Sequence, residues 1–165
     1  MAAVLKGESM KKELLHVCLD YEVSATELWP IVADLNADAD HVTGLASTEV
    51  TSGSGVGATR TCRTVKGETW SEVVAVWEPG QRFVMEVDTA TYPFPLKQLF
   101  RAFTATWELT PTPSGSQVCI TFFPNVRAGW LLWPLVKFGA RQSRRDLEYT
   151  LESYRSAAER LTTDT

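Results

Sequence analysis

Residues 130–161, WLLWPLVKFGARQSRRDLEYTLESYRSAAERL, decide how this chain is built. Leu147, Leu151, Tyr154, Ala158 and Leu161 recur at steps of four, three, four and three, the spacing of one face of an α-helix. Traced backwards, the stripe passes Ser143 or Arg144 and Ala140 to reach Val136 and Trp133. The C-terminal half therefore has one apolar face, whereas the N-terminal half is apolar on nearly every side. Such a change of character predicts two environments: a sheet under one end, and a cavity, partner or membrane surface at the other. Pro134 cannot donate a backbone hydrogen bond, so residues 130–133 are expected to form a separate turn. The main helix, 135–161, would be roughly 40 Å long at about 1.5 Å per residue. That outruns a small flat sheet. A strongly curved sheet gripping the helix is the natural solution, and such a grip leaves an internal void.

The preceding residues read as strands joined by tight turns. In ELLHVCLDYEV, residues 13–23, Leu15, Val17, Leu19, Tyr21 and Val23 face one way and His16, Cys18, Asp20 and Glu22 the other. SATELWPIVADL follows with Ser24 or Thr26 as N-cap and Glu27 in the first turn, a short helix. NADADHVTGL is expected to hold a second short helix or turn. Strands are then expected in ASTEV, ATRTCRTV, TWSEVVAVW, RFVMEVDTA, FRAFTATWELT and SQVCITFFP, separated by SGSGVG, VKGE, EPGQ, TYPFPLKQ and PTPSG. TYPFPLKQ, with two prolines, reads as a loop or bulged edge. Seven strands with short connections imply an antiparallel sheet with helices on one face, an α+β layout. We read residues 1–11 as a loose leader, 12–161 as one domain and 162–165 as a tail.

Composition narrows the function. The chain has 165 residues and a net charge of −4, with a pI of about 5.2, which speaks against broad nucleic-acid binding. The charge is uneven: Lys137, Arg141, Arg144 and Arg145 cluster after the aromatic start of the helix. No run approaches the roughly 18 apolar residues of a spanning helix, and MAAVLKGESMKKELL lacks the apolar core of a secretory leader. A cytoplasmic location is expected. Cys18, Cys62 and Cys119 are an odd number without zinc-site spacing, and are expected to be buried, reduced thiols. No metal site and no cofactor are expected.

Apparent motifs dissolve on inspection. The acidic run Asp34, Asn36, Asp38, Asp40 would need Gly and Glu where Ala39 and Leu45 stand, so it is no calcium loop; a solvated turn is expected. The glycines of SGSGVG lack phosphate-loop spacing, and there is no GxSxG. On the fourth strand, alternation puts either Trp70, Glu72, Val74 and Val76 on one face, or Ser71, Val73, Ala75 and Trp77. The first set would bring Glu72 inside, with a raised pKa and a capacity to carry a proton or bind a ligand. The preferred reading is a solvated or salt-bridged Glu72 with Arg60 or Arg63 as partner. His41 is expected at the surface near a cavity rim. Glu72, Arg60 and His41 are the candidates for any catalysis.

The order strand, two short helices, six strands, long helix resembles the START-like helix-grip superfamily, also called SRPBCC. Within it the chain is most similar to the polyketide cyclase/dehydrase-like branch. The resemblance rests on VSATELWPIVADL (23–35), GVGATR (55–60), WSEVVAVWEPGQRF (70–83), WELTPTPSGSQVCITF (107–122) and the final helix, and covers about residues 12–161. It implies a cavity between sheet and helix for lipids, sterols, hormones, quinones or polyketides, and cyclase activity in a few members. A shared fold does not by itself transfer a function.

On that template the cavity and its lid are expected to involve Trp29, Trp70, Phe83, Met85, Trp107, Phe122, Val136, Ala140 and Arg144. Tyr92, Phe94, Leu99, Phe100, Trp130 and Trp133 would lie near its mouth. We expect binding or carriage of a hydrophobic small molecule: a lipid, an isoprenoid or an aromatic polyketide. One alternative is a polyketide cyclase or dehydratase. Another is a protein-interaction module or homodimer using the aromatic patch. Peripheral membrane contact through residues 92–100 and 130–145 is compatible with carriage.

Overall fold

The computed structural model describes residues 12–163. The leader assigned to residues 1–11 and the last two tail residues, 164–165, lie outside the described residues. So do the side chains of Trp130 and residues 161–163.

Strand β1 (Leu15–Tyr21) opens the fold, with Leu15, Val17 and Tyr21 buried and His16 and Asp20 exposed. Helix α1 (Ala25–Val32) follows, and Ser24 caps it. Ser24 Oγ accepts from Glu27 N at 3.3 Å, and Glu27 Oε2 accepts from Ser24 N at 3.1 Å. This reciprocal pair satisfies two otherwise orphaned donors. A 3₁₀ turn at Asp38–Asp40 leads to β2 (Leu45–Ser52), β3 (Thr59–Thr64), β4 (Thr69–Glu78) and β5 (Arg82–Val87). A short helix α2 (Leu96–Leu99) occupies the stretch read as loop or bulged edge, and β6 (Phe100–Thr112) and β7 (Gly115–Val126) complete the strands. Helix α3 runs unbroken through Gly129–Thr163. Pro134 forgoes one backbone bond near the helix start without ending it, so the separate turn expected before it is absent.

The strands form one curved antiparallel sheet, ordered β1-β7-β6-β5-β4-β3-β2. Its concave face holds the core and grips α3. The C-terminal half of α3 is tied to edge strand β1: Tyr21 Oη donates to the Leu151 carbonyl at 2.8 Å, and Arg155 Nη2 to the Asp20 carbonyl at 2.9 Å. Gly115 makes the approach of β1 to the β6–β7 turn possible. Its φ is +149°, and a Cβ there would collide with the Tyr21 carbonyl.

A β-bulge decides which face of β4 looks inward. Glu72 pairs with Val87 and Val74 with Met85, but the register then shifts and Trp77 pairs with Phe83. Neither alternating set holds throughout. Trp70 and Glu72 line the inner cavity and Val74 is buried. After the extra residue, Trp77 turns inward to pack on Trp29 and Phe83.

Cysteine pairing also differs from expectation. Cys62 is buried and free, but Cys18 and Cys119 are half-buried and joined by a disulfide. They stand opposite each other on β1 and β7, a juxtaposition invisible at a separation of 101 residues. Among the described residues no helix is long and apolar enough to cross a membrane.

Candidate ligand cavity

The C-terminal half of α3 packs on the main core, and at the helix start Leu132, Trp133 and Val136 pack on Phe100 and Val126. The space between the sheet and α3 is a cavity of about 550 Å³. Its walls are mainly apolar. Met85, Ala105, Trp107, Ile120 and Phe122 come from the sheet, and Tyr92, Leu96, Leu99 and Phe100 from the segment around α2. Helix α3 contributes Leu135, Val136, Gly139, Ala140 and Leu147, and Val42–Leu45 closes the rim. Leu135, Gly139 and Gly44 are lining residues that are also exposed, so the cavity reaches solvent between α3 and the start of β2.

One side of the wall is ionic. Arg60, only 4% exposed, projects from β3 between two carboxylates. Its Nη2 lies 2.9 Å from Asp38 Oδ2 and 2.8 Å from Glu72 Oε2. Its Nε also donates to Glu72 at 2.8 Å, and Nη1 donates to the Leu35 carbonyl at 3.3 Å. Trp70 Nε1 donates to the other oxygen of Glu72 at 2.8 Å, and Tyr154 Oη donates to Asp38 Oδ1 at 3.3 Å. Burial alone would favour loss of the Arg60 proton, but Glu72 and Asp38 outweigh it and hold the guanidinium charged. Burial pushes the Asp38 carboxyl up, against the pull of Arg60. One guanidinium thus faces two carboxylates. Burial also raises the Cys62 thiol and the Tyr92 phenol, both on the wall, which disfavours their anionic forms.

A family model described as polyketide cyclase / dehydrase and lipid transport matches residues 20–159. The chain belongs to that family. None of the curated protein sequences matches it. Among solved structures, the di-domain aromatase/cyclase StfQ of the steffimycin biosynthetic pathway superposes with a TM-score of 0.72 at 15% identity. That match covers 90% of this chain and 51% of StfQ, so the chain spans about half the length of that protein. The Zhui aromatase/cyclase from Streptomyces sp. R1128 gives 0.69 at 14% identity, covering 88% and 93% of the two chains. TTHA0849 from Thermus thermophilus gives 0.68 at 17%, covering 93% and 100%. At these identities the structures establish the helix-grip fold and nothing finer.

Within this family member, the candidates read from sequence divide into three groups. Trp70, Met85, Tyr92, Leu99, Phe100, Trp107, Phe122, Val136 and Ala140 stand on the cavity wall, together with Arg60 and Glu72. Trp29 and Phe83 do not. They belong to an aromatic core with Trp77, beneath α1, where ring centroids lie 5.4–6.0 Å apart. Three others lie elsewhere. Phe94 is 70% exposed. Trp133 is half-buried beside Phe100 and Val136, with Lys12 Nζ 4.4 Å from its ring centroid. Arg144 is exposed, because the neighbouring Ser143 takes the inward position and Arg144 is turned about 100° away from it.

His41 is buried, contrary to the surface position expected. Its Nδ1 lies 2.8 Å from Ser153 Oγ, and its ring packs on Tyr154 with centroids 4.8 Å apart. Burial lowers its pKa, partly opposed by Asp38 and Asp40. It is not among the wall residues. Asp38 is the important residue that sequence reading misses. The sequence places it in a solvated turn, and only the fold carries it, 8% exposed, to Arg60. Its one sequence signal is an acidic residue in an otherwise unexplained turn, far too common to single it out.

Proposed function

We propose that this protein binds and carries a hydrophobic small molecule, in the class of lipids, isoprenoids or aromatic polyketides, within the cavity under α3. The cavity itself carries the reading: about 550 Å³ of mainly apolar space, with Arg60, Asp38 and Glu72 gathered into one ion-paired cluster on its wall. Each 100 Å² of apolar ligand surface removed from water contributes about 2.5 kcal/mol. The ionic group already has its partners within the protein, which suits a fixed polar wall that orients a ligand. Organic-solvent extraction of the native protein followed by mass spectrometry tests this. A stoichiometric apolar molecule is expected, or, for protein purified empty, saturable uptake of an apolar fluorophore that Ala105→Phe reduces by filling the void. Empty protein that takes up no fluorophore would overturn it.

A second reading, a cyclase or dehydratase, draws on one observation: two carboxylates share one guanidinium at the wall, and burial favours a protonated Asp38. A proton held beside a bound poly-β-ketone could serve general acid catalysis. Under this reading Asp38→Asn and Glu72→Gln abolish cyclisation of such a substrate while fluorophore uptake persists. Carriage alone predicts no turnover by the wild-type protein.

Delivery to a lipid surface fits the outer face of α3. Leu131, Leu135 and Phe138 are 61%, 62% and 73% exposed and share one stripe, opposite Val136 and Ala140. Lys137, Arg141, Arg144 and Arg145 are exposed along one flank of it. An apolar stripe flanked by cations suits an anionic bilayer surface. Co-sedimentation with phosphatidylserine vesicles, but not with phosphatidylcholine vesicles, is the expected result. A concentration-dependent dimer that hides the stripe and shows no vesicle binding would assign the patch to self-association.

A further inference from the structure

The convex face of the sheet, away from the cavity, carries a second group of reactive side chains. His16 and Cys18 lie two apart on β1, on the same face. Cys119 stands directly opposite Cys18 on β7, and Thr121 opposite His16. The imidazole is held at both nitrogens: Nδ1 is 2.8 Å from Thr121 Oγ1, and Nε2 is 3.2 Å from Cys18 Sγ. One ligand atom from each of His16, Cys18 and Cys119 falls within 4.8 Å of the other two. His16 is exposed and both cysteines are half-buried, so the group is open to solvent. The carriage function makes no use of it.

We propose that His16, Cys18 and Cys119 form a redox-gated site for a zinc-class divalent cation, of which the Cys18–Cys119 disulfide is the closed, metal-free form. The donor set of one imidazole and two thiolates is that of three-ligand zinc sites, which leave a fourth position to water. Thr121 supplies the outer partner such a histidine needs. When Nδ1–H donates to Thr121 Oγ1, Nε2 keeps its lone pair on the side of the sulfurs. Opening the site requires a thiol reductant. Two equivalents of a monothiol, or one dithiol, break the S–S bond, transfer two electrons and two protons to give Cys18–SH and Cys119–SH, and leave as their own disulfide. The cation then displaces the two thiol protons and binds both sulfurs and Nε2. In the disulfide the sulfurs are bonded to each other and the thiolate ligands are gone. The same chain therefore binds metal in a reducing environment and loses it on oxidation.

The test compares oxidised and thiol-reduced full-length protein, each desalted anaerobically and titrated with Zn²⁺ against a chromophoric chelator, with Co²⁺ as a spectroscopic substitute. One tightly held cation per reduced chain is expected, with the thiolate-to-cobalt charge-transfer band and tetrahedral visible bands, and none per oxidised chain. Cys18→Ser and Cys119→Ser should each remove the charge-transfer signature of a two-thiolate site. Thr121→Val should weaken binding about 10–100-fold, the usual effect of losing a ligand's hydrogen-bond partner. His16→Gln keeps the exposed position polar, and its far-UV circular dichroism separates ligand loss from misfolding. No stoichiometric uptake by the reduced protein would overturn the proposal. So would equal uptake by the oxidised form, or uptake that survives in well-folded His16→Gln and Cys18→Ser proteins.

Discussion

The two halves of α3 carry similar apolar side chains into opposite surroundings. In the C-terminal half, Leu147, Leu151, Tyr154 and Ala158 are all at most 7% exposed, and Tyr21 and Arg155 bond that half to β1. In the N-terminal half, Val136 and Ala140 face the cavity, Leu131 and Phe138 face solvent, and the exposed Leu135 stands at the cavity's edge. The difference is one of support. A helical stripe is buried only where another element meets it, and on the N-terminal half only the inner side is met, by the cavity wall and the small cluster around Phe100 and Val126. One half holds the fold together, and the other roofs a void and presents an apolar stripe outward.

The sharpest way to break this comparison is through the ionic wall, which Tyr154 of the anchored half reaches through Asp38. Arg60→Met strands two buried carboxylates and is expected to destabilise the protein by about 3–5 kcal/mol in urea unfolding. Asp38→Asn combined with Arg60→Met should recover part of that loss. Leu151→Ala, at a position 1% exposed, is expected to cost about 3 kcal/mol by the same measurement. Tyr21→Phe leaves the Leu151 carbonyl without its side-chain donor and should cost about 1–2 kcal/mol.

His41, packed on the anchored half, adds a pH dependence. Its folded pKa is depressed from 6.5 by burial, so the unfolded chain binds the proton first as pH falls. The contribution is complete well above pH 6.5 and is lost as pH falls through 6.5 toward the folded value. Melting temperature should therefore drop between pH 7.5 and 5.5, and His41→Gln should flatten that slope. At the other end of the scale, Leu135→Ala and Phe138→Ser should change stability by no more than about 0.5 kcal/mol. Their effect belongs in vesicle binding and fluorophore uptake. A loss of several kcal/mol from Phe138→Ser would show that the outer stripe is packed in the native protein.

The site is only partly legible in the sequence because its residues converge from distant segments. Strand alternation leaves Trp70 and Glu72 on one of two possible inner faces of β4 and offers Arg60 or Arg63 as ion-pair partner of Glu72; the period holds from Glu72 to Val74. Beyond that point the bulge breaks the period, and Trp77 joins Trp29 and Phe83 in an aromatic core, although the sequence points the latter two to the cavity. Asp38 and His41 sit in and just after a 3₁₀ turn, where no periodicity reports burial. The helical stripe leaves Arg144 and Ser143 as alternatives, and the closing of α3 on the sheet chooses Ser143.

By itself, the sequence determined the seven strands and their order along the chain, the capped first helix and the long amphipathic last one, but not the short helix α2. These follow from local rules of period two, period 3.6, capping and turn chemistry, which act over a few residues. Tertiary structure alone decided the joining of Cys18 to Cys119, the capture of Asp38 by Arg60, the unbroken run of α3 through Pro134 and the exposure of its outer stripe. Each depends on which surfaces meet after the sheet has curved, and pairwise proximity between remote segments leaves no periodic trace in the chain.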